Sequence, residues 1–358
     1  MKKIDRYKKF VGLDPNDIDA WINLGDAYYD EEQFNKALDC FKTANDLDPY
    51  SSEVFNNMGL TYSYLKDYDK AIECYKKSIK LNPDDAVVYY NMAYSYEDKE
   101  EYEEAIKCYK KVLELDPNYI DAWNNIALIY VDKGMYEKAI KCYEKAIKIN
   151  PDSIFILKNL AHLYYDKHDY DNAISQYKFA LELAPQNASI WNNLGNIYYE
   201  INNLNEAIKC YKNAIKINPY LVKAWNGLGL SYTSSHNYEK SIECYKKAIK
   251  LNPNDDVLYD NIGFSYNEMK MYDKAIKNYK KSLELNPDYV IIWKNLGIVY
   301  HNKKDFINAI SCYKKALAFL PHDYEIWDNL GYIYKYINEL KEAEKCYKEA
   351  SKWKSKVI

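Results

Sequence analysis

Eight cysteines and five histidines hold most of the chemistry latent in this chain: thiolate attack, disulfide formation, zinc binding. Their spacing argues against all three. Cys40, Cys74, Cys108, Cys142, Cys210, Cys244, Cys312 and Cys346 share one column with a 34-residue period, and Gln176 and Asn278 fill its two remaining places. Zinc sites need clustered donors, such as two cysteines separated by two residues, and no such cluster occurs. Helices one period apart are separated by an intervening helix, and packed helix axes lie ~8–10 Å apart. That exceeds the ~7 Å Cα limit for a disulfide. The thiols therefore read as small hydrophobes in a reducing compartment. His162, His168, His236, His301 and His322 are scattered, and none has a helix-spaced histidine or cysteine partner. No glycine-rich phosphate loop is present, since the one close pair, Gly227 and Gly229, lies inside a helical pattern. A non-enzymatic protein without metal or cofactor is expected.

The chemistry that does recur is that of the primary amide. Asn23, Asn57, Asn91, Asn125, Asn159, Asn193, Asn261, Asn295 and Asn329 form a column broken only by Gly227. An amide both donates and accepts, so such a column can hold the N–H and C=O of a peptide segment; equally, it can bond neighbouring helices. Three residues further on lie Leu60, Tyr94, Leu128, His162, Asn196, Leu230, Phe264, Ile298 and Tyr332. Most are apolar although the period places them opposite the core, and an exposed apolar row marks an interaction surface. The candidate peptide-binding residues are the nine asparagines with Leu60, Tyr94, Leu128, Leu230, Phe264, Ile298 and Tyr332. Asp30, Asp98, Asp132, Asp166, Glu200 and Glu268 form a further column, suited to a basic partner or to a solvated rim. Lysine pairs such as Lys110-Lys111 and Lys246-Lys247 read as a solvated opposite face.

These columns require a repeated element to carry them. All ten prolines, from Pro15 to Pro321, stand 34 residues apart, and Tyr28 and its nine equivalents keep the same period. A period of that length means one supersecondary unit copied along the chain. In residues 120–153, Ala122, Trp123, Ile126, Ala127 and Tyr130 share one helical face. Lys133-Gly134 breaks that pattern, Tyr136–Ile147 repeats an apolar stripe, and Asn150-Pro151 ends it. Each unit is expected to be two antiparallel helices of about 12–14 residues, the length these stripes give. Small residues at Gly25, Ala37 and their equivalents let the pair approach closely, and units must stack to bury both faces.

Trp123, Ile126, Ala127, Tyr130, Ala139, Tyr143, Ala146 and Pro151 resemble the tetratricopeptide repeat in identity and spacing. The resemblance implies an all-α solenoid, a right-handed superhelix of antiparallel helix pairs whose first helices line a concave groove. It divides the chain into an N-terminal capping helix, residues 1–17, and ten repeats over 18–355. These are 18–51, 52–85, 86–119, 120–153, 154–187, 188–221, 222–255, 256–289, 290–323 and 324–355. Ile4, Tyr7, Phe10, Val11 and Leu13 supply the cap's apolar positions. Glu344 and Ser351 make the last repeat self-capping, so a complete chain of 21 helices is expected. The asparagine column is similar to one in the repeat domain of the O-linked N-acetylglucosamine transferases, which implies a holder of extended backbone. Lys158, Asn193 and Lys223 match three positions of the carboxylate clamp of tetratricopeptide co-chaperones. His162 and Gly227 depart from it, and losing the clamp arginine removes its strongest anion contact.

The 49 basic and 53 acidic residues leave a net charge of −4, and Arg6 is the only arginine. No overall field draws the chain to nucleic acid or acidic lipid. Neither a signal-peptide run nor the ~18 apolar residues of a membrane span is present. The expectation is a cytoplasmic, monomeric scaffold or adaptor that binds a protein or peptide of unknown identity in its groove. The alternative is a substrate-recruiting regulatory subunit of a separately encoded enzyme such as a glycosyltransferase.

Overall fold

Many helix starts and stops in the repeat have a local cause. Asp17, Ser51, Asp85, Asn187, Asp255 and Asp323 accept backbone N–H bonds at the start of first helices. Asp67, Asp169, Asn203, Asn237 and Asp305 do the same for second helices. Such caps satisfy donors that the helix leaves without partners. Second helices end at the residue before the periodic proline, which is held extended, as at Asp48 (φ −133°) and Asn150 (φ −133°). The side chain of that residue accepts from the backbone two residues on: Tyr50 N to Asp48 Oδ1 is 2.9 Å and Asp152 N to Asn150 Oδ1 is 3.1 Å. The tryptophan of the next helix then donates to the proline carbonyl, at 2.9 Å for Trp21–Pro15 and 2.8 Å for Trp225–Pro219. The periodic proline and tryptophan thus close one turn together.

The computed structural model describes residues 2–354, which form 21 helices and no strand. The chain divides into two compact units, Met1–His168 and Asp169–Ile358, between the two helices of the fifth repeat. In the first unit, helix Lys2–Leu13 is followed by the pairs Ile18–Asp30/Phe34–Leu47, Ser52–Tyr64/Tyr68–Leu81, Ala86–Asp98/Tyr102–Leu115 and Ile120–Asp132/Tyr136–Ile149, and then by Ile154–Asp166. The second unit begins with Tyr170–Leu183. It continues through Ala188–Glu200/Leu204–Ile217, Val222–Ser234/Tyr238–Leu251, Asp256–Glu268/Tyr272–Leu285, Ile291–Asn302/Phe306–Phe319 and Tyr324–Tyr336/Leu340–Lys354.

Within each unit the core runs continuously along the stacked pairs. Tyr75, Tyr109 and Tyr143 are fully buried in the first unit, as are Tyr245 and Tyr313 in the second, each worth about 1.5–3 kcal/mol of burial. Their rings lie over the small residue of the partner helix. A Cβ on Gly59 would stand 2.5 Å from Cε1 of Tyr75.

Two expectations change. Ile4 and Val11 of the first helix are buried, but Leu13 is 82% exposed, because the helix ends there and turns its last residue to solvent. Gly134 does take a left-handed conformation (φ +67°), yet the same place in the other repeats holds Glu32, Lys66, Glu100, His168, Asn202, His236, Lys270, Lys304 and Asn338, all with positive φ. The turn is imposed by packing of the helix pair, not by glycine. Glu344 and Ser351 are exposed on the last helix.

Candidate functional site

In both units the first helices of successive repeats contact one another directly, forming a surface backed by the second helices. The asparagine column lies along it, half-buried in all members but the exposed Asn23. In the first unit Asn91 Nδ2 donates to Asn56 Oδ1 at 3.1 Å and Asn159 Nδ2 to Asn124 Oδ1 at 2.9 Å. Asn125 Nδ2 reaches the hydroxyls of Tyr90 and Tyr109 at 3.1 and 3.0 Å. Asn57 donates to Asp26 at 3.2 Å, and Asn23 to the carbonyl of Asp19 in its own helix. In the second unit Asn261 donates to Asn226 and Asn295 to Asp260, both at 3.1 Å, while Asn193 donates to the Tyr177 hydroxyl at 3.3 Å. The repeated step is 35 residues back, onto the preceding first helix. The column therefore stitches neighbouring repeats, and the Asn125 and Asn193 oxygens accept in turn from Asn124 and Asn192 at 3.1 and 3.5 Å. At Asn329 the residue 35 back is Lys294, an ammonium that accepts nothing and is instead held by Asp323 and Glu325 at 2.9 and 2.6 Å.

At the break, the ring of Tyr211 occupies the space that Gly227 leaves open. Cζ of Tyr211 lies 2.4 Å from where a Gly227 Cβ would be, and the Tyr211 hydroxyl donates to Asn196 Oδ1 at 2.8 Å. The same ring fills the place where the co-chaperone clamp would need its arginine.

The apolar row is exposed where its side chains are largest. Tyr94 is 52% exposed and Tyr332 54%, and Leu128 and Phe264 are also exposed, whereas Leu60, Leu230 and Ile298 are half-buried against the core. In the first unit Leu60, Asn91 and Tyr94 come together with Tyr64, Tyr68, Tyr90 and Asp98 around a cavity of about 370 Å³. In the second unit Tyr332 stands 5.2 Å, centroid to centroid, from His301, which also neighbours Phe306.

Two members of the acidic column neighbour tyrosines of the preceding second helices: burial and Asp98 raise the Tyr68 pKa, and burial and Glu268 raise that of Tyr238, whose hydroxyl meets His236 Nδ1 at 2.8 Å. The column's inner neighbour Glu97 accepts from the Tyr109 hydroxyl at 2.8 Å, and burial raises its pKa. Burial beside Glu53 and Asp30 lifts Asp26 from 3.8 to about 6, against the pull of Lys3. Across the second helices the lysines Lys76, Lys77, Lys246 and Lys247 are exposed.

The eight cysteines are buried and free. Burial pushes the Cys74 thiol up to about 11 and Cys210 to about 12, which suits packing and not nucleophilic attack. No helix among the described residues is long and apolar enough to cross a membrane.

Sequence reasoning found the donor column and missed its acceptors, Asn56, Tyr90, Asn124, Asn226 and Asp260. The available signal was a polar or hydroxyl-bearing residue immediately before the column position of the preceding repeat, 35 residues before each donor.

Residues 18–51, 52–85, 86–119, 120–153, 188–221, 222–255 and 290–323 match the tetratricopeptide repeat family. Related families described as TPR repeat and tetratricopeptide repeat match 161–202 and 263–304, 142–175 and 244–277, and 324–357. The chain belongs to the tetratricopeptide repeat family. No curated protein matches it. Among solved structures, the C-terminal part of a TPR repeat-containing protein from Cytophaga hutchinsonii is 19% identical with a TM-score of 0.60, covering 67% of this chain and 99% of that one, a likeness of fold. The MamA protein is 30% identical over 47% of this chain and 92% of its own, with a TM-score of 0.44. Tetratricopeptide arrays are in general non-catalytic modules that bind protein partners, and the chain is a protein-interaction scaffold of that class.

Proposed function

We propose that this scaffold is a non-enzymatic adaptor that holds a peptide segment of a partner protein against its first helices. The observation that supports this reading is the row of exposed aromatic and aliphatic side chains, Tyr94, Leu128, Phe264 and Tyr332, where a free-standing helix pair would carry polar residues. The asparagine column lies beside that row. Its amide N–H groups are largely engaged between repeats, and the Asn125 and Asn193 oxygens accept from Asn124 and Asn192, so ligand contact falls chiefly to the apolar row.

The test is site-specific photocrosslinking in the native cell extract. A benzophenone side chain at Leu128 or Phe264 is expected to crosslink a partner, and one at Lys110 or Lys247 is not. Equal crosslinking from both faces, or crosslinking from the lysine face alone, sinks the assignment.

A further inference from the structure

The cavity beside Asn91 in the first unit has walls and an end of different chemistry. Tyr64 and Tyr94 are 62% and 52% exposed and, with Tyr68 and Tyr90, give it aromatic walls; Asp98 lies at its edge. Tyr68 and Asp98 line the cavity together, and burial and the Asp98 carboxylate raise the Tyr68 pKa. No lysine pairs with Asp98 among the described residues: adjacent Lys99 is taken by Asp69 and Glu101 at 2.8 and 2.6 Å, and Lys66, on the rim, makes no ion pair with it. Glu97 and Asp132 add to the negative field.

We infer that this cavity is a receptor for one arginine side chain of the bound partner segment. The inference rests on the peptide-binding reading above and specifies what that face selects. Tyrosine faces attract a guanidinium through their quadrupole and stack on its plane, and a carboxylate accepts its forked donors. An apolar side chain would strip water from Asp98 and return nothing, and an acidic one would be repelled. Lysine satisfies the charge without the planar stacking, so it ranks second.

The second unit repeats part of the arrangement five repeats later. Phe264 stands in place of Tyr94 and is exposed, and Glu268 and Tyr238 replace Asp98 and Tyr68, while Ser234 and Asp260 stand where Tyr64 and Tyr90 do. Glu268 accepts from Asn267 at 3.2 Å and the Tyr238 hydroxyl meets His236 Nδ1 at 2.8 Å. An aromatic plane beside a carboxylate thus recurs with fewer aromatic walls. Where the carboxylate position is occupied by Tyr336, the surroundings are His301, Phe306 and Tyr332, and the site is aromatic without an anion.

The experiment uses the full chain and a nine-residue Gly/Ser peptide with one central arginine, titrated by NMR, beside peptides carrying lysine, citrulline or alanine there. Citrulline keeps the shape and removes the charge. The arginine peptide is expected to shift the amides of Ser63, Tyr64 and Tyr94, and the citrulline peptide to bind at least tenfold more weakly. Asp98→Asn with Glu268→Gln should weaken arginine binding about tenfold and leave the melting curve unchanged, and Tyr94→Ala should do the same at the first site. Equal binding of arginine and citrulline peptides, or affinity unaffected by the carboxylate substitutions, overturns the proposal. If the doubly substituted chain still crosslinks its partner from Leu128 at full yield, the arginine receptor fails while the adaptor reading stands. If the arginine peptide binds as expected and Leu128 crosslinks nothing, the reverse holds.

Discussion

Tyr211 and Gly227 occupy each other's space: the tyrosine Cζ is 2.4 Å from the position of a glycine Cβ, with its hydroxyl oxygen 2.9 Å from that point. Every other repeat places asparagine where Gly227 stands. Gly227→Asn, which restores the column in sequence, requires the Tyr211 ring to move to the place that Tyr109 and Tyr177 take beside Asn125 and Asn193, giving up its bond to Asn196. It is expected to destabilise the chain by about 0.5–1.5 kcal/mol. Gly59→Ala is the control. It also meets a tyrosine ring, but Ala93, Ala127 and Ala161 occupy equivalent places above Tyr109, Tyr143 and Tyr177, so the stack accommodates it. Urea unfolding of the two variants checks the contrast, and equal midpoints would refute it.

The asparagine column should behave as structure as well as surface. Replacing Asn91, Asn159 and Asn261 by Ala removes three bonds between repeats and leaves Asn56, Asn124 and Asn226 short of a donor. At about 0.5–1.5 kcal/mol each, the loss should be visible as a lower melting temperature with helicity retained at 25 °C. Changing Lys110, Lys111, Lys246 and Lys247 to Ala should leave melting within error, since exposed charges contribute little. An unchanged melting temperature in the asparagine variant would show that these bonds carry no weight.

Stability should depend on the ionisation of Asp26. Its carboxyl is pushed up to about 6 from 3.8 by partial burial, although the residue keeps an exposed face, and by the charges of Glu53 and Asp30, opposed by Lys3. Between those values the native state binds more protons than the unfolded one, so this group's contribution falls as pH rises from about 4 to about 6. Asp26→Asn keeps an acceptor for Asn57. It is expected to be more stable than the parent at pH 7 and to match it more closely at pH 4. A stability difference that is flat over that range would exclude the effect.

The left-handed turn offers a stabilisation in the opposite sense from the usual glycine penalty. Glu32 and Lys304 hold φ of +58° and +64°, where a side chain costs about 1–2 kcal/mol and glycine does not. After glycine's greater unfolded-state entropy is subtracted, Glu32→Gly or Lys304→Gly should stabilise by about 0.5 kcal/mol. Gly134→Lys should destabilise by a similar amount. Calorimetric melting of the three variants decides the sign.

The fold was legible because proline, tyrosine and the small residues keep identical types at a fixed spacing. The paired helices follow from those marks alone. The left-handed turn was hidden, since Glu, Lys, His and Asn share the position and none announces a positive φ. The binding face was half legible. Asn91 or Asn261 can be read as part of a column, but Asn56, Tyr90 and Asp260 share only the ability to accept a hydrogen bond. That shared polarity 35 residues back is a weak mark, and it does not show whether the amide donors are spent on it, which depends on how closely two first helices approach. Nor does sequence show that Tyr211 fills the gap at Gly227, because one side chain's reach depends on the rotamer and the separation of two helices.

The 35-residue reach of the asparagine bonds makes the chain a ratchet for its own length. Excising residues 256–289 would bring Asn295 opposite Asn226, one acceptor exchanged for another, whereas removing a single residue would carry the donor whose bond spans it past its mate. A lineage built on this register can lengthen or shorten only in steps of 34.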